Sequence, residues 1–206
     1  MRAVKEAEER KNEILDVAER LFSERGYDAA STNDILKEIG IARGTLYYHF
    51  GSKEEILDAI IERVTDRIVR RARVAAYDKD LPLLERLIKT LMTLNVDDDT
   101  GRFVIEQIHK PQNALMHQKS NERLAGSINP ILIDLVNEGI REGIFETGFP
   151  EEAVEMIMLY SNTVFDGLNK MDEAVRARKV EGFICNVERI LGAKQGTLKG
   201  SLGSLF

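Results

Sequence analysis

Gly40-Ile41-Ala42-Arg43-Gly44-Thr45-Leu46-Tyr47-Tyr48-His49-Phe50, running on into Gly51-Ser52-Lys53-Glu54-Glu55, is the stretch on which the fold turns. Gly40 can take the positive φ of a tight turn, and Leu46 and Phe50 stand four apart, on one face of a short helix. Upstream, Ser31 and Asp34 make an S-x-x-D pattern in which the serine oxygen accepts from a free backbone N–H and the carboxylate sits at the positive helix end, so a short helix runs to about Ile39. Ser31 to Phe50 therefore reads as helix, tight turn, helix. Before it, Ile14, Leu15, Ala18, Leu21 and Phe22 recur at the spacing of one helical face, and Gly26 supplies the stop. After it, Ser52 with Glu55 completes a second capping box, opening a helix to about Ala76 whose apolar stripe is Ile56, Leu57, Ile60, Ile61, Val64, Ile68 and Val69.

The run Asp78-Lys79-Asp80-Leu81-Pro82 is the clearest punctuation in the chain and marks a domain boundary. Helices follow at about 82–95, 102–109, 112–125, 129–145, 151–169 and 172–192, broken at Asp97-Asp98-Asp99-Thr100-Gly101, Lys110-Pro111, Gly126-Ser127, Gly148-Phe149-Pro150 and Met171-Asp172. No sustained period-two alternation and no internal repeat interrupts this pattern. The expected fold is all-α: a three-helix helix-turn-helix domain at 1–51, a linking helix at 52–77, a helical ligand-binding and dimerisation domain at 78–192, and a Gly- and Ser-rich flexible tail at 193–206, about nine helices in total.

The chain has 206 residues, with 29 Lys+Arg against 35 Asp+Glu, a net charge of −6 and 43% hydrophobic residues. That is the composition of a globular protein able to bury a sizeable core. A single cysteine, Cys185, excludes an intramolecular disulfide framework and fits a reducing, cytoplasmic setting. No apolar run approaches the roughly 18 residues that span a bilayer, and Met1 to Lys11 is charged in both signs, so membrane insertion and export are not expected. The acidic balance excludes coating of nucleic acid through bulk charge; any DNA contact has to rest on particular residues.

Those residues lie on the second short helix. With Leu46 and Phe50 inward, about 100° of rotation per residue points Tyr48 outward, with Gly44 and Thr45 near it and Tyr47 and His49 on the flanks. Gly44 permits close backbone approach to a groove, Thr45 carries a methyl for thymine and a hydroxyl for phosphate, and a tyrosine combines ring contact with a phosphate hydrogen bond. The competing reading packs the tyrosines on the neighbouring helices, with more force for Tyr47 than for Tyr48. His49 divides evenly between a phosphate donor and a structural hydrogen-bonder. Lys53 follows the Ser52 cap at the positive end of a helix, where a cation is disfavoured unless a phosphate joins it; a solvated surface lysine is the alternative. No acidic residue stands between Arg43 and Lys53, so the positive patch is local, whereas Arg63, Arg67, Arg70, Arg71 and Arg73 read as a solvated face.

The segments Ser31-Thr32-Asn33-Asp34-Ile35, Gly40 to Phe50 and Ser52-Lys53-Glu54-Glu55 resemble the DNA-binding domain of tetracycline-repressor-like (TetR) regulators, whose signature includes the G-T-L-Y-Y-H-F core and the following S-K-E-E. The likeness is strong over about residues 8–60; beyond it lie agreement in helix count and length and a Glu-Gly-Ile-Arg-Glu-Gly-Ile-Phe segment at 138–145, typical of the family's seventh helix. The resemblance implies a homodimeric repressor: helices 1–3 on a double-stranded DNA operator, helix 4 as the link, helices 5–7 around an apolar ligand, and helices 8 and 9 pairing across the dimer. Ligand binding would then tilt helix 4 and draw the recognition helices out of register with their half-sites. By position, Thr32, Tyr47 and Lys53 would contact phosphates, and Asn33, Gly44, Thr45 and Tyr48 would lie nearest the bases, with Arg43 beside them. Ala42 departs from the pattern, since the family usually caps the recognition helix there with a hydroxyl.

Independently of that likeness, half-sites one turn apart, roughly 34 Å, require a rigid symmetric dimer. The last two long helices carry more apolar positions than one stripe hides, among them Ala153, Ile157, Tyr160, Val164, Leu168, Val180, Phe183, Ile184, Val187, Ile190 and Leu191, with a larger monomer core as the even alternative, and Gly167 allows close helix approach. Met92, Phe103, Met116, His117, Tyr160 and Phe165 would suit an adaptable effector pocket, although Met and aromatics at helical spacing more often form plain core. His109 and His117 lack metal-ligand spacing, Asp97 to Asp99 lack the alternation of a calcium loop, and Cys185 reads as a packed thiol, so neither a metal nor a cofactor is expected beyond a small-molecule effector. No nucleophile-base grouping or phosphate-cradling loop points to an enzyme. The rival from another class is a helical adaptor or assembly protein that keeps the same fold and acts through protein partners without an inducer; ligand-sensitive operator binding separates the two.

Overall fold

The computed structural model describes residues 2–94, 99–108, 110, 114–164 and 171–199. Among them are nine helices and no strand: α1 (Arg2–Arg25), α2 (Thr32–Ile39), α3 (Arg43–His49), α4 (Lys53–Ala76), α5 (Leu83–Met92), α6 (Asp99–Ile108), α7 (Ala114–Arg141), α8 (Pro150–Val164) and α9 (Glu173–Leu191). The chain divides into two compact units, Met1–Arg67 with Val96–Glu122, and Ile68–Asn95 with Arg123–Phe206.

In the first unit α1 packs against α2 and α6. Its core is the stripe read from the sequence: Ile14, Leu21 and Phe22 of α1, Ile35 of α2, Leu46 of α3, and Ile56, Leu57 and Ile60 of α4 are all buried. Two polar devices fix the helix directions. Ser31 and Asp34 close a capping box, the serine N–H donating to the Asp34 carboxylate at 2.9 Å and the Asp34 N–H to Ser31 Oγ at 3.2 Å. Arg63 of α4 reaches back to Asp16 (2.6 Å) and Glu19 (2.8 Å) of α1. At the start of α4 the Glu55 N–H donates to Ser52 Oγ at 3.1 Å, but the Glu55 carboxylate accepts from Gly51 N–H (2.7 Å), one residue before the expected partner.

The second unit is built on one cluster, in which Leu83 and Leu87 of α5, Ile128, Ile131, Leu132, Leu135 and Val136 of α7, Ala153 and Val154 of α8, and Phe183, Ile184, Val187 and Leu191 of α9 come together. An ion pair lies inside it. Arg86, only 2% exposed, binds Glu138 of α7 through its two terminal guanidinium nitrogens (3.1 and 2.5 Å) and donates to the carbonyls of Ala76 (3.0 Å, from Nη1) and Leu81 (3.2 Å, from Nε). This one side chain fastens the last residue of α4 and the turn after it to α5 and α7.

Two expectations need correction. The helices expected at 112–125 and 129–145 form one helix, α7, which runs through Gly126, Ser127 and Pro130 and stops at Arg141. Proline in a helix costs a hydrogen bond and crowds the carbonyl of the residue four before it, here Gly126; burial of Ile128, Ile131, Leu132 and Leu135 outweighs that cost. The helix ends where Gly143 takes φ +72° and Ile144 N–H bonds to Gly139 O at 2.8 Å. Phe145 then folds onto Gly139, where a Cβ would lie 2.3 Å from its ring. The second correction concerns residues 193–199, part of the expected flexible tail. The buried Glu188 carboxylate accepts from Gly196 N–H (2.9 Å) and Leu198 N–H (2.8 Å), which seats Leu198 in the core. Residues 200–206 lie outside the described residues, as do Asp97, Asp98, His109, Gly167 and Leu168.

The Arg86–Glu138 pair predicts acid sensitivity. Hydrogen bonds from Arg86, then Lys79, hold the Glu138 carboxyl down at about 2 from an ordinary 4.5. A carboxyl whose folded pKa is depressed stabilises the fold above its unfolded value and loses that contribution as pH falls through the folded one. Melting temperatures measured from pH 4.5 down to about 2 should therefore fall more steeply for the native chain than for Glu138→Gln. Arg86→Met removes the buried partner and both carbonyl contacts while Lys79 still pairs with the partly exposed Glu138 carboxylate, and should lower stability in denaturant titration by about 1–3 kcal/mol. The end of α3 yields a second expectation. Ala42 stands at its N-cap with φ −69° and ψ 149° and no side-chain cap hydrogen bond, so Ala42→Ser should raise stability by about 1 kcal/mol; an unchanged denaturation midpoint would refute the open cap.

Candidate nucleic-acid interface

The turn between α2 and α3 is set by Gly40, at φ +73° and ψ +31°, whose N–H closes α2 on Leu36 O at 2.9 Å. α3 then has seven residues and one fully buried side chain, Leu46, with buried Phe50 at its C-cap. Everything else on α3 is left facing out or at the margin. Tyr48 is 80% exposed and stands edge-on to His49, with ring centres 5.0 Å apart. Arg43 and Gly44 are exposed, and Thr45 and His49 half-buried.

Tyr47, 41% exposed, is held by its neighbours. The Arg43 guanidinium lies 5.5 Å from the ring centre. Hydrogen bonding from Arg43 first, and then with Thr32, draws the Tyr47 phenol below its ordinary pKa. Thr32, the first residue of α2, thus meets α3 at Tyr47, and Asn33 is exposed beside it. The structure brings together Thr32, Arg43 and Tyr47, and lines Gly44, Thr45, Tyr48 and His49 along the same short helix.

Lys53 is half-buried and held by neighbouring groups, which sets it apart from the solvated surface lysine that the sequence offers as the alternative. Its ammonium donates to the carbonyl of Tyr27 and sits 4.0 Å from the centre of the Tyr27 ring and 5.7 Å from that of Phe22. Partial burial pulls its pKa down, opposed by Asp28 and Glu54. Burial, followed by the Glu54 carboxylate, pushes the Tyr27 phenol up to about 12. Sequence reading missed Tyr27, because nothing in the spacing of residues 27 and 53 marks them as neighbours.

The residues expected at an effector pocket fall in both units and partly outside the described residues. Phe103 is buried in the first unit against Phe22, with ring centres 6.1 Å apart, and His117, also in that unit, hydrogen-bonds Asn121 at 3.0 Å. Met92 and Tyr160 belong to the second unit, Met92 exposed and Tyr160 stacked on Phe183 at 5.6 Å. The Met116 side chain and Phe165 lie outside the described residues. A groove of about 800 Å³ between α9 and residues 195–199 has Arg176, Glu181, Cys185 and Lys199 among its walls and none of the six expected residues. Among the described residues no group of three His, Cys, Asp or Glu side chains is placed to hold a metal, and no helix is long and apolar enough to cross a membrane.

Known proteins with the same pattern are regulators. A family model described as "Bacterial regulatory proteins, tetR family" matches residues 14–60, and one described as "Tetracyclin repressor-like, C-terminal domain" matches 96–185. The HTH-type transcriptional repressor KstR2 of Mycobacterium tuberculosis is 30% identical over 160 residues, 72% of this chain and 74% of that protein. The fatty acid metabolism regulator protein of Bacillus subtilis is 29% identical over 138 residues, 66% and 71% of the two chains. Among solved structures, a TetR-family transcriptional regulator from Pectobacterium atrosepticum aligns with a TM-score of 0.65 at 19% identity, over 89% of this chain and 96% of that one. The fatty acid degradation regulator FadR from Bacillus halodurans aligns at 0.59 and 23%, over 90% and 96%, and both neighbours share the fold. These matches favour the regulator over the adaptor: the chain belongs to the tetR family of bacterial regulatory proteins and is a ligand-responsive, DNA-binding transcriptional regulator.

Proposed function

We propose that the protein binds an inverted-repeat operator as a homodimer and represses transcription until a small apolar molecule releases it, acting in the cytoplasm and without enzymatic activity. The observation that carries the DNA reading is the outward face of α3, where Tyr48 stands in solvent on a helix held from behind by buried Leu46. Asn33, Gly44, Thr45 and Tyr48 approach the bases; Thr32, Tyr47 and Lys53 bind phosphates, with Arg43 and His49 at the margins of the groove.

Support for the dimer comes from α8. Met156, Leu159 and Tyr160 are exposed apolar residues at i, i+3 and i+4, one face of a helix, and Leu159 is 71% exposed. A second copy of this chain, pairing through α8 and α9, would cover them. For the effector, the name of the Bacillus subtilis relative makes free fatty acids the first class to test, with Met92, exposed in the second unit, as the candidate contact.

Selection from a random duplex pool should enrich an inverted repeat, and graded free fatty acids should release it in fluorescence anisotropy. Tyr48→Ala should lose discrimination between selected and random duplex at unchanged melting temperature. Lys53→Ala should weaken binding to both and lower the slope of log affinity against log salt by about 0.9 per lost phosphate contact. Absence of any enriched sequence would sink the operator reading. Sedimentation supplies the test of the dimer: the native chain should run at twice the chain mass and Leu159→Lys at the monomer mass, and a monomeric native chain at micromolar concentration would refute it.

A further inference from the structure

The geometry around Lys53 points to Tyr27 as a positioning residue for DNA binding: its ring and carbonyl form a cradle that holds the Lys53 ammonium where a backbone phosphate is to be met. This rests on the phosphate role proposed for Lys53. A free lysine on a four-carbon stem is a mobile point charge, and fixing it at a DNA phosphate costs side-chain entropy. Here that ordering exists before DNA arrives. One N–H of the ammonium is satisfied by Tyr27 O, the ring face lies 4.0 Å away, and an ammonium carries three donors, so capacity remains for a phosphate oxygen.

The cradle has a rigid back. Phe22 meets the Tyr27 ring edge-on, with centres 5.2 Å apart at 80°, and is itself fully buried. Phe103 of α6 also packs against Phe22, with ring centres 6.1 Å apart. Two carboxylates act on the ammonium, Asp28 and Glu54, and Asp28 is itself paired with Lys110 at 3.2 Å. A cation held by a neutral ring and a carbonyl keeps its charge available for phosphate, whereas a carboxylate in their place would neutralise it. Burial of the aromatic pair alone would not require the lysine to lie across the ring.

The test is a double-mutant cycle on the full chain, read as affinity for random-sequence duplexes of about 30 bp across a salt series, because phosphate contacts dominate binding to any sequence. Tyr27→Phe keeps the ring and should bind as the native chain does. Tyr27→Leu should weaken binding about two- to fivefold and move the salt slope towards that of Lys53→Ala. In the Lys53→Ala background Tyr27→Leu should change nothing further. Equal losses in both backgrounds would overturn the positioning role while leaving the phosphate role of Lys53 intact; an unchanged affinity and slope in Lys53→Ala would overturn both. A measurement independent of folding in the variants uses the native chain labelled with 13Cε-lysine. The Lys53 resonance, assigned by its loss in Lys53→Arg, should be shifted upfield by the Tyr27 ring and stay shifted when duplex is added. Its return to the position of the other lysines on DNA would mean that the ammonium leaves the ring to reach phosphate, and would overturn the cradle.

Discussion

Burial of Leu46 is the contact on which the solvent-facing side of α3 depends. α3 has only seven residues, and isolated helices shorter than about 12–15 residues are marginal in water. Its N-cap contributes no side-chain hydrogen bond, so the helix is held by the apolar contact of Leu46 and by Phe50 at the far end. A helix anchored on one side chain leaves nearly its whole circumference for other work. Gly44, Thr45, Tyr47, Tyr48 and His49 are free to be polar, small or aromatic because none of them has to build the core. The capping box at Ser31 and the left-handed Gly40 complete the arrangement by fixing where α2 ends and where α3 starts.

The second unit is organised by a polar contact inside an apolar cluster. Arg86 and Glu138 stand where hydrophobic side chains would pack at lower desolvation cost, so the pair is poor evidence of stability for its own sake. Its value is geometric: one guanidinium satisfies a carboxylate on α7 and two carbonyls at the end of α4 and in the turn that follows, and planar bidentate bonding admits one orientation. Glu188 does the same on a smaller scale, tying two backbone N–H groups of residues 196 and 198 to α9. In both places a buried charge specifies a chain path that apolar packing alone leaves free.

Much of this was legible in the sequence wherever the determining interactions are local. Helix period and caps placed α1 to α4 closely, because Ser31, Asp34, Gly40 and Ser52 act on backbone groups within four residues of themselves. The outward direction of Tyr48 followed from rotation about the helix axis once Leu46 and Phe50 were assigned inward. The same local reasoning misjudged α7. Gly126, Ser127 and Pro130 carry every mark of a break, and only the core formed by Ile128, Ile131, Leu132 and Leu135 with distant helices keeps the helix continuous. Gly196, Gly200, Gly203, Ser201 and Ser204 suggested a flexible end after Gly192, because the carboxylate that orders residues 193–199 belongs to the preceding helix and does not show in local composition.

The sequence by itself determined the helical fold class, the helix-turn-helix segment and the face of α3 that meets solvent, since periodicity, capping and turn chemistry act over one or two turns. Tertiary structure alone decided that Lys53 lies against Tyr27, that Arg86 pairs with Glu138 and that Phe103 is buried against Phe22. These contacts join residues 26, 52 and 81 positions apart. Along the chain each of those side chains is simply charged or aromatic, and its role is set by which distant group the packing of helices brings to it.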